Sequence, residues 1–96
     1  MQKDFIVYIL SDKRKNTITG IMESIPEFQS ELRSKYKSLV YLGIFNDRKK
    51  AMKKKRALMN LKGKDRISFV KKKNPEWLNL IFTLADHLKN LNNQFI

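Results

Sequence analysis

The sequence predicts an α/β (α+β) fold: a three-stranded antiparallel sheet with helices packed on it and an additional C-terminal helix. Three observations carry this. Residues 5–10 and 39–45 are short apolar runs rich in β-branched and aromatic side chains, the composition of buried strands. Residues 17–22 follow the first run after the polar stretch Ser11-Asp-Lys-Arg-Lys-Asn16, which is hairpin spacing. Beyond residue 46 the apolar positions recur at the helical period instead.

The first strand is continuously apolar, as a strand covered on both faces must be. After the hairpin, Ser24 and Glu27 have the spacing of a capping box, with Pro26 tolerated in the first turn. The helix they open places Ile25, Phe28 and Leu32 on one face. The third strand stops at Asn46 and Asp47. Asn46 is read as an N-cap, and Asp47 as a carboxylate complementing the positive end of the next helix. That helix is expected to run to about Asn60 and to end before Gly63, with Ala51, Met52, Leu58 and Met59 as its apolar stripe. A short helix over 65–72 turns Ile67 and Val70 inward, with Phe69 beside them. Pro75 marks the first turn of a last helix, about 76–93, whose stripe is Trp77, Leu80, Ile81, Leu84, Leu88 and Leu91.

Ninety-six residues make a single domain, 1–96, because the chain is too short for two cores. A hydrophobic share of 42% places it among globular rather than disordered chains. The lack of cysteine excludes disulfides and thiolate metal sites and fits a reducing cytoplasm. No apolar run reads as a signal peptide or a membrane span, so the expected location is cytoplasmic, without membrane contact. His87 is the only histidine, which rules out a histidine-rich metal cluster. It lies beside the last helix's stripe, where an exposed or capping role is expected. With only three glycines there is no phosphate-cradling loop.

The charge is uneven. Lys and Arg number 21 against 9 acids, a formal +12. From Arg48 to Lys73 there are 13 basic residues and one acid, Asp65. The bland account is a solvated basic face. Unneutralised positive charge costs stability, however, and a field of this density favours a polyanion, with nucleic acid, DNA first, as the candidate partner. Arg48, Lys49, Lys53, Lys54, Lys55, Arg56, Lys62, Lys64, Arg66, Lys71, Lys72 and Lys73 are the candidate phosphate contacts. Phe45 and Phe69 could stack on bases, but both are expected in the core.

Tyr8 in the first strand is followed ten residues later by Ile18-Thr19-Gly20, then by Ser38-Leu-Val-Tyr-Leu42, the basic helix near residues 51–61, and Asn74-Pro-Glu-Trp77. This order resembles the small stand-alone bacterial proteins of the GIY-YIG endonuclease family over most of residues 4–79, the core, with the final helix extending beyond it. The resemblance implies the same layered architecture. In that family the segment at Ile18 reads Tyr-x-Gly, an Arg follows ten residues later, and the basic helix carries a metal-binding Glu. Here those places fall on Ile18, Phe28 and Lys55, while Tyr8 matches the family's first tyrosine.

The family's cleavage implies a Tyr that acts as base or positions water, an Arg for phosphate charge and a Glu for one divalent ion. Those types follow from metal-assisted phosphodiester attack. Ile18 has no titratable atom, and an ammonium at Lys55 repels Mg²⁺ rather than ligating it. Lys55 either meets a phosphate in the cation's place or snorkels to solvent. Tyr8 either keeps the family role or is a strand tyrosine with its hydroxyl at the sheet edge. The route from Ile18 to the third strand is also shorter than the family's and lacks its polar, histidine-bearing loop.

The resemblance therefore implies a degenerate nuclease-like domain, leaning away from an enzyme, that binds nucleic acid through residues 48–73 and needs no metal or other cofactor. One alternative is an active metal-dependent DNA endonuclease with substitute residues, which would require Mg²⁺. Another is a protein-interaction module that offers Phe82, Leu91 and Phe95 of the last helix. On either account the chain is a monomer or a weak homodimer.

Overall fold

The computed structural model describes residues 5–22, 28 and 38–94, with side chains as far as residue 87. Strands β1 (Phe5–Ser11), β2 (Thr17–Met22) and β3 (Ser38–Phe45) are followed by helices α1 (Arg48–Asn60), α2 (Gly63–Lys73) and α3 (Ile81–Gln94). The fold is α+β: an antiparallel sheet in the order β2-β1-β3, carrying three helices among the described residues. The helix expected around Ser24 to Leu32 lies outside the described residues except for Phe28, which is helical and buried.

The uninterrupted apolar run of β1 has a direct cause. Side chains alternate across a strand, and both faces of this central strand are covered. Val7 and Ile9 join Val40, Tyr41, Ala51, Leu58 and Val70, so α1 and α2 lie on that face. Ile6, Tyr8 and Leu10 join Leu39, Phe28 and Leu84 on the other. On α1, Ala51 and Leu58 are buried, but Met59 is 52% exposed and falls outside the stripe expected for it.

β3 carries a bulge. Ile9 opposes Tyr41 while Leu10 opposes Leu39, which leaves Val40 without a partner residue. The polar groups freed there are satisfied by residues 74–80. Asn74 Nδ2 donates to the Val40 carbonyl at 3.1 Å, Leu39 N–H donates to Asn79 Oδ1 at 3.1 Å, and Leu80 N–H donates to the Leu39 carbonyl at 2.7 Å. This segment wraps the outer edge of β3. Trp77 packs against the Val7–Ile9 core, while Leu80 and Ile81 pack against the Tyr8 core on the opposite face.

That wrap overturns the expectation of a helix from about 76. Asn74 brackets the turn by accepting from Leu78 N–H and donating to the Leu78 carbonyl. Trp77 has φ 55°, incompatible with an α-helix. α3 begins only at Ile81, whose N–H donates to Asn79 Oδ1. Two boundaries also shift. Asp47 rather than Asn46 is the N-cap of α1, accepting from Lys49 N–H, and Gly63 opens α2 instead of closing α1. No helix among the described residues is long and apolar enough to cross a membrane.

Candidate nucleic-acid interface

Of the four positions that the resemblance equates with catalytic residues, three come together. Tyr8 is 5% exposed and its ring lies over Gly20 of β2. Phe28 meets that ring edge-on, with centroids 5.0 Å apart at 79°, and Ile18 packs on the same cluster. Ile18 and Phe28, at two of the equated positions, thus pack with the tyrosine in one apolar cluster. Lys55 does not join them. Ala51 and Leu58, on either side of it along α1, insert into the Val7–Ile9 core, so half-buried Lys55 rises from a helix on the other side of the sheet. Among the described residues no group of three or more His, Cys, Asp or Glu could hold a metal ion.

The basic segment divides by what its cations already do. Lys49, Lys53 and Arg56, spaced i, i+4 and i+7, are exposed on the face of α1 opposite Ala51 and Leu58. With Asp47, Arg48 and Met52 they border an open concavity of about 630 Å³. Arg48, Lys49 and Lys50 fill the first turn of α1 with no acid among them. At the positive end of a helix each such cation costs roughly 0.3–1 kcal/mol, which Asp47 at the N-cap offsets in part. Lys71, Lys72 and Lys73 stand differently. They occupy the last turn of α2, where positive charge stabilises the helix, so the fold itself accounts for them.

Two candidate contacts are engaged within the fold. Arg66, read from the sequence as a phosphate contact, donates from Nε to the Leu58 carbonyl at 3.0 Å, and from Nη2 to the carbonyls of Met59 (3.2 Å) and Leu61 (2.9 Å). Its Nη1 donates to Thr17 Oγ1 at 3.1 Å. The guanidinium thus caps the end of α1 and ties it to β2, leaving no edge for a phosphate. Lys54 holds its ammonium 4.8 Å from the Phe69 ring centroid, and Phe69 in turn meets Tyr41 edge-on at 5.0 Å. Phe69 and Phe45 are half-buried against the core. Burial also raises the Tyr41 phenol above its ordinary pKa.

One cluster escaped the sequence reading. In the β1–β2 hairpin, Asp12 Oδ1 accepts from the N–H groups of Arg14 and Asn16, and Asp12 Oδ2 accepts from Asn16 Nδ2. This turn presents Lys13, Arg14 and Lys15 in succession, and Lys15 Nζ lies 5.2 Å from the centroid of the Trp77 ring. Between them is an open cavity of about 540 Å³, bordered also by Ser11 and Ser38. The basic tripeptide was visible as a turn. Its meeting with Trp77 was hidden because Trp77 read as helical.

No family model, curated protein or solved structure gives a significant match to this chain.

Proposed function

We propose that this chain binds nucleic acid through α1 without cleaving it, as a degenerate GIY-YIG-like domain. The observation that carries the proposal is the row Lys49, Lys53 and Arg56: exposed, on one helix face, and beside a first turn whose positive charge works against the helix. A helix does not gain from cations there, but a phosphate placed against them does. Over its 13 residues α1 extends about 20 Å, enough to follow several phosphates of one strand. Such contacts position a backbone and read no sequence.

The absence of cleavage follows from the surroundings of Tyr8 and from Lys55. Tyr8 is buried in a cluster with Phe28 and Leu39, and Lys55, at the place of the family's metal-binding glutamate, carries an ammonium that cannot ligate a divalent ion. A three-stranded antiparallel sheet with a basic helix after its third strand supports the family assignment, which concerns the fold. Binding rests on the exposed cations of α1 alone.

The test is titration of duplex DNA, single-stranded DNA and RNA at two salt concentrations. Three phosphate contacts imply a log–log slope of about −2.7, or roughly 40-fold weaker binding at 200 mM than at 50 mM salt. Undetectable or salt-independent binding refutes the proposal.

A second reading rests on Phe82, which is 81% exposed on α3; Leu91 and Phe95, expected to act with it, lie outside the residues whose side chains are described. An apolar side chain so placed can meet a second copy of the chain. Light scattering across protein concentration separates a dimer from a monomer.

A further inference from the structure

We propose that Trp77 and the hairpin cations Lys13, Arg14 and Lys15 form a stacking site for one unpaired nucleobase carrying a phosphate. This rests on nucleic acid being the partner and adds that the strand must offer a base outside a duplex.

The first support is the backbone at Trp77. A bulky residue at φ 55° is a conformation the chain avoids unless its surroundings impose it. Asn74 imposes it here. Its carbonyl accepts from Trp77 N–H at 3.0 Å, and its side chain makes two hydrogen bonds to Leu78. Glycine would meet this geometry without strain, so the tryptophan is held for its side chain. Lys15, at φ 65°, makes no such case, because a left-handed residue is ordinary in a hairpin loop.

The second support is what the indole faces. It packs against the Val7–Ile9 core, yet it is only half-buried, with the Lys15 ammonium over the ring and the hairpin cavity beside it. An exposed cation–π contact is worth less than a base stacked on an aromatic ring. A base can therefore displace the ammonium from the indole face. The displaced Lys15, with Lys13 and Arg14, then meets the phosphate of the same nucleotide, and the hairpin carries one acid, Asp12, against these three cations.

The third support is continuity. Arg66 bonds both Thr17, the residue after the hairpin loop, and the carbonyls of Met59 and Leu61, so the turn between α1 and α2, with exposed Lys62 and Lys64, is tied to the β2 end of the hairpin. A strand whose end base stacks on Trp77 can continue past this turn onto α1.

The protein supplies its own probe, since Trp77 is the only tryptophan. Tryptophan emission is followed together with the anisotropy of a labelled strand, for a short single strand, a blunt duplex, adenosine monophosphate and adenosine. Saturable quenching by the single strand and the monophosphate, weak quenching by adenosine and none by the duplex are expected. Trp77→Ala should weaken single-strand binding roughly tenfold and leave duplex binding unchanged. Because Trp77 also packs on the core, Lys13→Glu with Lys15→Glu serves as the second variant: it keeps the indole and should abolish the quenching. Replacing Lys49, Lys53 and Arg56 with Ala should weaken duplex binding and leave quenching by the monophosphate intact. Quenching by the monophosphate without any strand binding would remove the proposed function and keep this site, as one for free nucleotides. Strand binding with unaltered emission, equal quenching by the duplex, or quenching that survives the double charge reversal overturns the site.

Discussion

The ring of Tyr8 lies across Gly20, its partner on the neighbouring strand, so closely that a Cβ on Gly20 would stand 2.5 Å from the phenol oxygen. Glycine weakens a strand in isolation, but here its bare backbone is the floor on which the ring lies, with Phe28 meeting that ring edge-on. Tyr41 lies over Gly43 on the other face, here two residues along its own strand, with a corresponding approach of 2.6 Å. Gly20→Ala is expected to destabilise the protein by about 1–3 kcal/mol through overpacking. In a Tyr8→Ala background the same change should cost much less, because the clash is gone. A double-mutant cycle by chemical denaturation measures this coupling, and additive costs would show that the two residues do not interact.

Arg66 is expected to behave as a structural residue. Arg66→Ala removes the side-chain donor to the Met59 and Leu61 carbonyls, leaves the Leu58 carbonyl with only the Leu61 N–H, and unties β2 from the helix, a loss of about 2–4 kcal/mol. For a domain of this size that lowers the melting temperature by roughly 10–20 °C. Lysine should rescue little, since it lacks the fork that reaches several acceptors at once. The salt dependence of nucleic-acid binding, measured below the melting range, should keep its slope. A slope reduced by about one unit with stability intact would make Arg66 a phosphate contact after all.

The sheet was legible because its signals are local. Composition marks β1 and β3, and turn chemistry places β2 at Thr17–Met22, where it stands. The C-terminal third misled for a physical reason. Pro75 and the spacing of Trp77, Leu80, Ile81 and Leu84 satisfy the helical pattern, yet Trp77 serves one face of the sheet and the other three serve the opposite face. A wrap round an edge strand can imitate helical period, and only the needs of the bulge at Val40 distinguish the two. The basic segment was equally visible as charge. Composition could not separate Arg66, which is bound within the fold, from Arg56, which faces solvent.

Alkaline pH should weaken the fold through Tyr41. Burial raises its phenol above the ordinary value of 10.0. Below that value both folded and unfolded chains hold the proton, and the contribution is fully present. As pH rises from there toward the folded value, the unfolded chain loses its proton first and stability falls, by at most about 1.4 kcal/mol per pH unit for one group. Denaturation at a series of pH values should show this fall in the native protein and a shallower one in Tyr41→Phe. Identical alkaline limbs would exclude Tyr41 as the cause.

No nicking of supercoiled DNA is expected with Mg²⁺ or Mn²⁺ at any protein concentration that saturates binding. Tyr8 is buried with Phe28 and Leu39, and the position equated with the family's glutamate is Lys55 on the other side of the sheet. Metal-dependent cleavage that disappears in a Tyr8→Phe variant would establish an active endonuclease. Cleavage unaffected by that change would point to a contaminant.

The first turn of α1 separates binding from stability. If Lys49, Lys53 and Arg56 existed only to keep the chain soluble, replacing them would alter neither the affinity for nucleic acid nor its salt dependence. If they meet phosphates, changing all three to Ala should reduce the log–log salt slope by about 2.7 units and weaken duplex and single strand alike. Stability should not fall in the process. Lys49 lies in a first turn that repels it, Ala favours the helix at each position, and none of the three packs in the core, so a gain of about 0.5–1 kcal/mol is expected. Loss of salt-dependent binding together with a raised melting temperature is therefore the signature of residues kept for a ligand at the expense of the fold. A variant that binds as before would place the interface elsewhere on the chain.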